Sequence, residues 1–270
     1  MKTLLSLGHG FSGQATEAAL GPDWRVLGTS RRPGTAVLWP GQAAEALAQA
    51  THLIAWAPPG PEGDPMLPHL AELPAPKLRW IGYASASSLY GDHGGAWIDE
   101  GTADAPATGR GLARAQAEHD WQAFAEARRL PLALLRIAGI YGPGRSALDA
   151  LRQGRAHRVW KEGQVFNRIH VADLGRIAAA AAEAELAGPL ICADGEPAPM
   201  ADVTLFAAQL LGIEPPPLIP YEDADLSPMA RSFYEDNKRL RSRRLGPELK
   251  LSLTYPDYRA GLTAIFEAGF

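Results

Sequence analysis

Residues 8–13 read Gly8-His9-Gly10-Phe11-Ser12-Gly13 and lie between an apolar run at 3–7 and a helical stretch at 11–20. In this G-x-G-x-x-G pattern the first glycine turns the chain sharply, the second lets a pyrophosphate approach the backbone, and the third lets helix and strand pack closely. The following helix start offers free N–H groups to phosphate. We therefore predict that all six residues bind a dinucleotide, with His9 filling the loop. The alternative is a glycine-rich turn that binds nothing.

Apolar runs alternate with Ala-rich helical stretches up to about residue 190. The predicted strands are residues 3–7, 24–29, 53–57, 78–83, 132–137 and 190–192. The predicted helices are residues 11–20, 43–50, 111–129, 171–186 and 202–211. The helix at 111–129 is expected to place Leu112, Trp121, Phe124 and Ala125 on one side. This alternation predicts the α/β class, with a Rossmann-type doubly wound parallel sheet.

The sequence pattern changes after Gly212, where prolines and charged residues interrupt the alternation of apolar runs and helical stretches. We predict a single unit over 1–270, with a dinucleotide-binding core at about 1–140 plus 170–195. A small C-terminal substrate lobe is expected at about 141–169 and 196–270. The basic cluster Arg239, Arg241, Arg243 and Arg244 is interpreted as a solvated helix face.

The end of the second predicted strand indicates the nucleotide preference. It reads Thr29-Ser30-Arg31-Arg32, without the carboxylate that NAD sites place there to bond the ribose 2′-hydroxyl. Guanidinium groups suit a 2′-phosphate, so these four residues predict NADP rather than NAD, with Arg31 as the main contact. The alternative is an arginine that caps a strand end in solvent. Ala57 and Pro58, at the end of the next predicted strand, are included in the cofactor site.

Composition excludes several functional classes. The chain has 270 residues, 46% of them hydrophobic, and a net charge of −4, so we expect no nucleic-acid partner. Cys192 is the single cysteine, which rules out an intramolecular disulfide and a cysteine-based zinc site. No His/Asp/Glu spacing suggests a metal. No apolar run approaches the ~20 residues of a membrane span, so we expect a cytoplasmic protein without a membrane partner.

Five further motifs carry a family resemblance. They are Ser85-Ala86-Ser87-Ser88-Leu89-Tyr90-Gly91; Asp99-Glu100 with Pro106; Leu135-Arg136-Ile137-Ala138-Gly139-Ile140-Tyr141-Gly142-Pro143-Gly144; Arg168-Ile169-His170-Val171-Ala172-Asp173; and Leu253-Thr254-Tyr255-Pro256-Asp257-Tyr258-Arg259-Ala260-Gly261-Leu262. As a set, and over nearly the whole chain, they resemble the extended short-chain dehydrogenase/reductase family, the NAD(P)-dependent epimerase/dehydratase group.

The resemblance implies a catalytic Ser or Thr, a Tyr, and a Lys four residues after the Tyr. Aligned through Pro106 and Glu118, the chain has Arg110 at the tyrosine position and Arg114 at the lysine position. Ala86 occupies the serine position. Arginine stays protonated throughout the physiological pH range and therefore does not replace a tyrosine acid. The chain therefore resembles an atypical branch of the family that lacks the Tyr-x-x-x-Lys pair.

Six residues are catalytic candidates. Arg110 and Arg114 can hold an anion or an oxygen atom, and Ser85 and Ser87 flank the serine position. Tyr90 and His93 are candidate proton donors, since histidine is a common general acid or base in enzymes. The alternative places Tyr90 beneath the loop and His93 in solvent.

The segment 145–168 predicts the kind of substrate. Arg145, Arg152, Arg155, Arg158, Lys161 and Arg168 with few acids favour a small molecule bearing a phosphate or nucleotide, although solvated arginines would look the same. Trp160 and Phe166 are expected to pack in the core, with stacking on a planar ligand as the alternative. Two functions stay open: an oxidoreductase or epimerase-like enzyme, and a non-catalytic NADP(H)-binding sensor or regulatory module. The substrate itself and the oligomeric state are not determined by the sequence.

Overall fold

The computed structural model describes residues 1–32 and 37–270. The strands are β1 (Lys2–Leu7), β2 (Trp24–Ser30), β3 (Val37–Leu38), β4 (His52–Ala55), β5 (Trp80–Ala86), β6 (Trp97–Ile98), β7 (Leu132–Ile137), β8 (Gly139–Tyr141), β9 (Arg158–Trp160), β10 (Arg168–His170), β11 (Gly188–Cys192), β12 (Leu218–Pro220) and β13 (Arg239–Leu240). The helices are α1 (Phe11–Ala19), α2 (Ala43–Gln49), α3 (Gly109–Arg128), α4 (Ala147–Arg152), α5 (Val171–Glu183), α6 (Met200–Leu211), α7 (Pro228–Ser232) and α8 (Tyr258–Glu267).

Seven parallel strands form the central sheet, in the order β11-β7-β5-β4-β1-β2-β3. The chain runs outward from β1 through β2 to β3, and then returns to the other side of β1 with β4. This reversal makes the carboxyl ends of β1 and β4 the topological switch point, where open α/β sheets bind ligands. The predicted doubly wound parallel sheet is confirmed.

Helices cover both faces of the sheet. On one face, α2 and α3 pack against it through Leu47 and Trp121, both fully buried. On the other, Leu174 and Ile177 of α5 are fully buried against the sheet. Leu174 and Ile177 are three residues apart, the spacing at which apolar side chains share one face of a helix.

Leu112 is a correction to the predicted face of α3. Trp121, Phe124 and Ala125 are buried, but Leu112 is 55% exposed. Nine residues separate Leu112 from Trp121, and at 3.6 residues per turn this spacing puts them on opposite sides of the helix.

The strand predicted at 53–57 is also shorter than expected. β4 ends at Ala55, because Pro58 and Pro59 follow and cannot donate ladder hydrogen bonds. Asp64 then organises the connection to β5. Its Oδ1 accepts the N–H groups of Met66 and Leu67 at 2.8 and 3.0 Å, and its Oδ2 accepts Trp121 Nε1 at 2.8 Å. Ala57 and Pro58 therefore lie in a loop beyond the carboxyl end of β4.

Beyond the central sheet lie three parallel strand pairs, β8 with β10, β9 with β12, and β6 with β13. The interpretation of the arginine cluster at 239–244 as a helix face is wrong, because the cluster begins in the strand β13. Arg243 pairs with Asp99 at 2.7 Å, and Arg244 pairs with Glu248 at 2.7 Å. The division of the chain into a core and a lobe at the predicted boundaries stays a prediction.

Within residues 1–32 and 37–270, no helix combines the length and the apolar character that a membrane span needs.

Candidate functional site

The glycine loop is tied to the end of β2. Gly8 has a φ of 74°, a left-handed conformation that favours glycine. Its N–H donates to Thr29 Oγ1 at 2.8 Å, and the His9 N–H donates to the Thr29 carbonyl at 3.2 Å. Thr29 is buried. The hydroxyl of this residue therefore sets the shape of the loop.

His9 packs within the loop. Its Nδ1 lies 3.0 Å from Ser6 Oγ, and its Nε2 lies 3.0 Å from Glu17 Oε2. A Cβ on Gly28 would lie 2.6 Å from the imidazole ring, and a Cβ on Gly13 would lie 2.9 Å from Nδ1. These two glycines make the space that the ring occupies.

Gly10 leaves the start of α1 open. A Cβ at this position would find the Gly8 carbonyl oxygen at 3.9 Å as its nearest neighbour. In the part of the chain that the structure describes, no side chain caps the N-terminus of α1, so its first N–H groups are available to an anion. In the loop that follows the neighbouring strand β4, the N atom of Ala57 lies 3.4 Å from where a Cβ on Gly8 would be. The fold thus brings the glycine loop and Ala57 together at the switch point.

The end of β2 presents its charged residues outward. Ser30 Oγ accepts the N–H of Arg32 at 3.0 Å, and Arg31 and Arg32 are both exposed. This polar edge lies next to the loop, because Thr29 contacts Gly8 and His9.

A large cavity of about 1480 Å³ opens beyond the carboxyl ends of β4, β5 and β7. Pro58 and Pro59 after β4, Ser87 after β5, and Ala138 after β7 line its sheet side. Tyr258 and Leu262 of α8, which belong to the predicted C-terminal lobe, also line the cavity. A cavity of this size accommodates a small molecule together with part of a dinucleotide.

Arg114 is anchored at the sheet side of the cavity. Its Nη1 donates to Tyr83 Oη at 3.2 Å and to the Ala84 carbonyl at 2.7 Å. Burial raises the pKa of Tyr83 to about 12, against the lowering effect of the Arg114 guanidinium. Tyr83 thus stays protonated near neutral pH, and the remaining N–H groups of Arg114 are available to a ligand.

Arg110 lies one turn earlier on α3 and also lines the cavity. Its guanidinium carbon is 3.9 Å from the ring centroid of Phe233, and its Nη2 donates to the Ser232 carbonyl at 3.5 Å. The predicted replacement for the tyrosine is therefore in contact with the C-terminal part of the chain.

The other candidates lie away from the cavity lining, except Ser87. Tyr90 is fully buried, and burial raises its pKa. Its ring packs against Arg136, whose guanidinium carbon lies 4.8 Å from the ring centroid. His93 Nε2 is 3.0 Å from the Tyr90 carbonyl oxygen, and Ser85 is 3% exposed. Tyr90 and His93 therefore lie next to each other, outside the cavity lining. Their catalytic roles stay predictions.

The basic segment divides into residues that line the cavity and residues that do not. Arg145, Arg155 and Arg168 line it. Lys161 instead donates to the Tyr234 carbonyl at 2.6 Å. Trp160 is 45% exposed and lies outside the cavity lining, so its expected place in the core is wrong.

Sequence reasoning placed residues 196–270 in a substrate lobe but singled out none of the residues at 226–238 that line the cavity. Met229, Phe233 and Lys238 line it, although this part of the chain is irregular and charged. Two large apolar residues in a polar stretch, Met229 and Phe233, are the one local signal that could have drawn attention to it. Of the described residues, no group of three or more His, Cys, Asp or Glu side chains could hold a metal ion.

Comparisons with solved structures identify the fold. Over 99% of both chains, the protein superposes on the human epimerase family protein SDR39U1 with NADPH, with a TM-score of 0.78 and 22% identity. A second superposition, on the UDP-N-acetylglucosamine 4-epimerase from Bacillus cereus, covers 100% of this chain and 99% of the epimerase, with a TM-score of 0.76 and 15% identity. The chain has the fold of the extended short-chain dehydrogenase/reductase family, in its epimerase/dehydratase form, as its motifs predict.

A nearer relative is a functionally unknown conserved protein from Silicibacter pomeroyi. It shares 41% identity over 99% of both chains, with a TM-score of 0.90, and the chain belongs to the same family as this protein. A scan against protein-family models gives no match, and a search of curated proteins gives none either.

Proposed function

We propose that the chain binds NADP(H) on residues 8–13, 29–32 and 57–58 and acts as an oxidoreductase or epimerase-type enzyme on a small molecule. The observation that carries the proposal is the cavity at the carboxyl edge of the sheet, whose lining residue Pro58 follows Ala57, the residue that lies against Gly8 of the open glycine loop. Ligands of open α/β sheets bind at this edge. The structural relatives named above include a human protein with NADPH and an epimerase named for a nucleotide sugar. A nucleotide- or phosphate-bearing molecule is accordingly the substrate class that we favour.

The residues of the loop fit a dinucleotide. The uncapped start of α1 offers N–H groups to a pyrophosphate, and the missing side chain at Gly10 leaves room for it. When bound, the nicotinamide supplies or accepts a hydride. Arg114 would then hold oxygen atoms of a ribose or phosphate with the N–H groups that Tyr83 and Ala84 leave free.

The 2′-phosphate is the expected source of selectivity for NADP(H). Each charge-assisted hydrogen bond from Arg31 contributes about 1.5–3 kcal/mol. In Arg31→Ala we therefore expect NADPH affinity to fall by about tenfold or more while NADH affinity changes little, as measured by calorimetric titration of both nucleotides. Arg25→Ala is the matched control, because Arg25 lies on the same strand and bonds Gln49. Equal affinities of the wild type for NADPH and NADH, or an unchanged ratio of these affinities in Arg31→Ala, would contradict the selectivity proposal.

Proton transfer needs a donor other than Arg110. A guanidinium holds an anion or a carbonyl oxygen by hydrogen bonds and stabilises charge there, but it has no proton to release near neutral pH. Arg110 is thus proposed to position the substrate, and its contact with Phe233 links it to the C-terminal part of the chain. Tyr90 and His93 stay the candidate donors that the sequence suggests.

A non-catalytic NADP(H) sensor is the second candidate function. The observation that favours it is the arginine at the tyrosine position, with Phe233 stacked on its guanidinium. Tight NADPH binding without turnover of any substrate would support this candidate over an enzyme.

A substrate panel separates the two functions. We expect the wild-type protein to show no ordinary ketone reduction, because the usual tyrosine acid is missing. Keto acids and aldehydes are tested with NADPH, whose absorbance reports net reduction. Sugar nucleotides are tested by chromatographic separation of the epimers, because an epimerase regenerates its nucleotide and leaves the absorbance unchanged. Both assays are run on the wild type and on Tyr90→Phe, His93→Ala and Arg110→Ala. Robust turnover that survives the first two changes and is lost in Arg110→Ala would show that the role given to Arg110 is wrong. A cytoplasmic location and the absence of nucleic-acid and membrane partners stay predictions.

A further inference from the structure

Arg168 is a buried arginine at the wall of the cavity. It lies on β10, is 7% exposed, and lines the cavity with its neighbour Phe166. Among the residues that the structure describes, no carboxylate oxygen lies within the 4.0 Å of an ion pair with its guanidinium. A buried charge without a counter-charge is costly, so buried arginines are ordinarily paired.

Arg168 donates hydrogen bonds to two backbone carbonyls that already have backbone partners, so these bonds mainly fix the orientation of its side chain. Its Nη1 donates to the carbonyls of Phe166 at 2.8 Å and of Ala198 at 3.0 Å. Both carbonyls already accept a backbone hydrogen bond, since Phe166 N donates to Ala198 O at 3.0 Å and Ala198 N donates to Phe166 O at 3.1 Å. Nη2 contacts the sulfur of Met200 at 3.9 Å, a weak acceptor. The guanidinium thus retains donor capacity for a ligand.

Asp194 is a nearby acid, but it does not neutralise Arg168 fully. It is 3% exposed, and its Oδ2 has no hydrogen-bond partner among the described residues. Burial raises the pKa of Asp194 to about 7, with the Arg168 charge acting in the opposite direction. Burial therefore disfavours the charged form of this carboxyl.

The acids that line the cavity have other partners. Asp149 accepts the backbone N–H of Ser146 at 2.8 Å in the capping box of α4. Asp236 pairs with Lys238 at 3.4 Å. Arg145 and Arg155 line the same cavity, so its lobe side carries excess positive charge.

We infer that Arg168 binds an anionic group, a carboxylate or a phosphate, of the small molecule that occupies the lobe side of the cavity. The ligand would supply the counter-charge that the protein does not provide, and a planar guanidinium suits both oxyanions. Arg168 is then the residue that selects anionic over neutral substrates. The inference rests on the proposed function, because it assumes a small-molecule ligand in this cavity.

The test uses two simple anions, inorganic phosphate and malonate, on the full chain with saturating NADPH, so that the cofactor's own phosphate sites are filled. Sodium chloride holds the ionic strength constant, and the rise in melting temperature with anion concentration gives the anion affinity. We expect the wild type to be stabilised by at least one anion, and Arg168→Gln to bind that anion about tenfold or more weakly. The anion that binds more tightly identifies a phosphate or a carboxylate as the group.

Arg152→Gln is the matched control. Arg152 is an exposed arginine of the same basic segment outside the cavity lining, so anion binding should be unchanged in this variant. A wild type without anion-dependent stabilisation, or Arg168→Gln with the wild-type anion affinity, would overturn the inference. If Arg168→Gln does not fold, Arg168→Lys keeps the charge but loses the planar fork, and unchanged anion affinity in that variant would also overturn it.

NADPH affinity separates this inference from the proposed function. We expect Arg168→Gln to keep the wild-type affinity for NADPH, because the hydrogen bonds of Arg168 go to Phe166, Ala198 and Met200 and to no residue of the glycine loop. If the wild type does not bind NADPH, the proposed function is contradicted but the inference about Arg168 is not. The anion titrations are then carried out in the absence of NADPH.

Discussion

A Gly10→Val variant is expected to fold and to lose NADPH binding. The nearest atom to a Cβ at Gly10 is the Gly8 carbonyl oxygen at 3.9 Å, and the backbone φ of −105° is negative, so the protein itself has room for a side chain. The valine would stand in front of the free N–H groups of α1, where a pyrophosphate must approach. We expect affinity to fall by about a hundredfold or more, because several hydrogen bonds to charged oxygens are lost together.

Calorimetric titration with NADPH measures this loss, and circular dichroism and the melting temperature report the fold. Gly21→Val is the matched control, since a Cβ at Gly21 has no heavy atom within 4 Å and this glycine lies in the loop between α1 and β2. It should keep both the fold and the affinity. Retained NADPH affinity in a folded Gly10→Val protein would show that the glycine loop is not the cofactor site.

An Arg136→Met variant is expected to lose much more unfolding free energy than a variant that removes a surface ion pair. Arg136 on β7 is 5% exposed and holds Glu118 of α3, 4% exposed, through Nε at 3.2 Å and Nη2 at 2.9 Å. It also bonds both carboxylate oxygens of Asp104 at 2.6 and 2.9 Å. Removing the arginine leaves the Glu118 carboxylate buried without a partner, which costs about 3–5 kcal/mol of unfolding free energy.

Urea denaturation measures the change, and Lys2→Met is the control. Lys2 pairs with Glu183 at 2.6 Å, but both side chains are at least one third exposed. Loss of such a surface pair costs only about 0–1 kcal/mol. The double variant Arg136→Met with Glu118→Gln should recover part of the stability, because the unpaired charge is gone. Equal destabilisation by Arg136→Met and Lys2→Met would contradict the role given to the buried pair.

Local sequence was sufficient for the features that depend on near neighbours along the chain. The glycine loop at 8–13 and the alternation of strands and helices predict the doubly wound sheet, because backbone freedom and hydrophobic period act over a few residues. The buried face of α5 and the end of α6 at Gly212, which has a left-handed φ of 64°, follow from the same local rules. Leu112 shows how a period assigned incorrectly places a residue on the wrong face.

The tertiary structure alone decides which charges face the cavity and which are neutralised. Arg145, Arg152, Arg155 and Arg168 are equivalent in the sequence, yet only Arg168 is a buried part of the cavity wall. Likewise, Phe233 reaches Arg110 across 123 positions of the chain, since the C-terminal part packs beside α3. Burial and ion pairing depend on distances between segments remote in sequence, and the electrostatic free energy of a charge depends on both. For this reason the chemistry of the cavity emerged only from the folded chain.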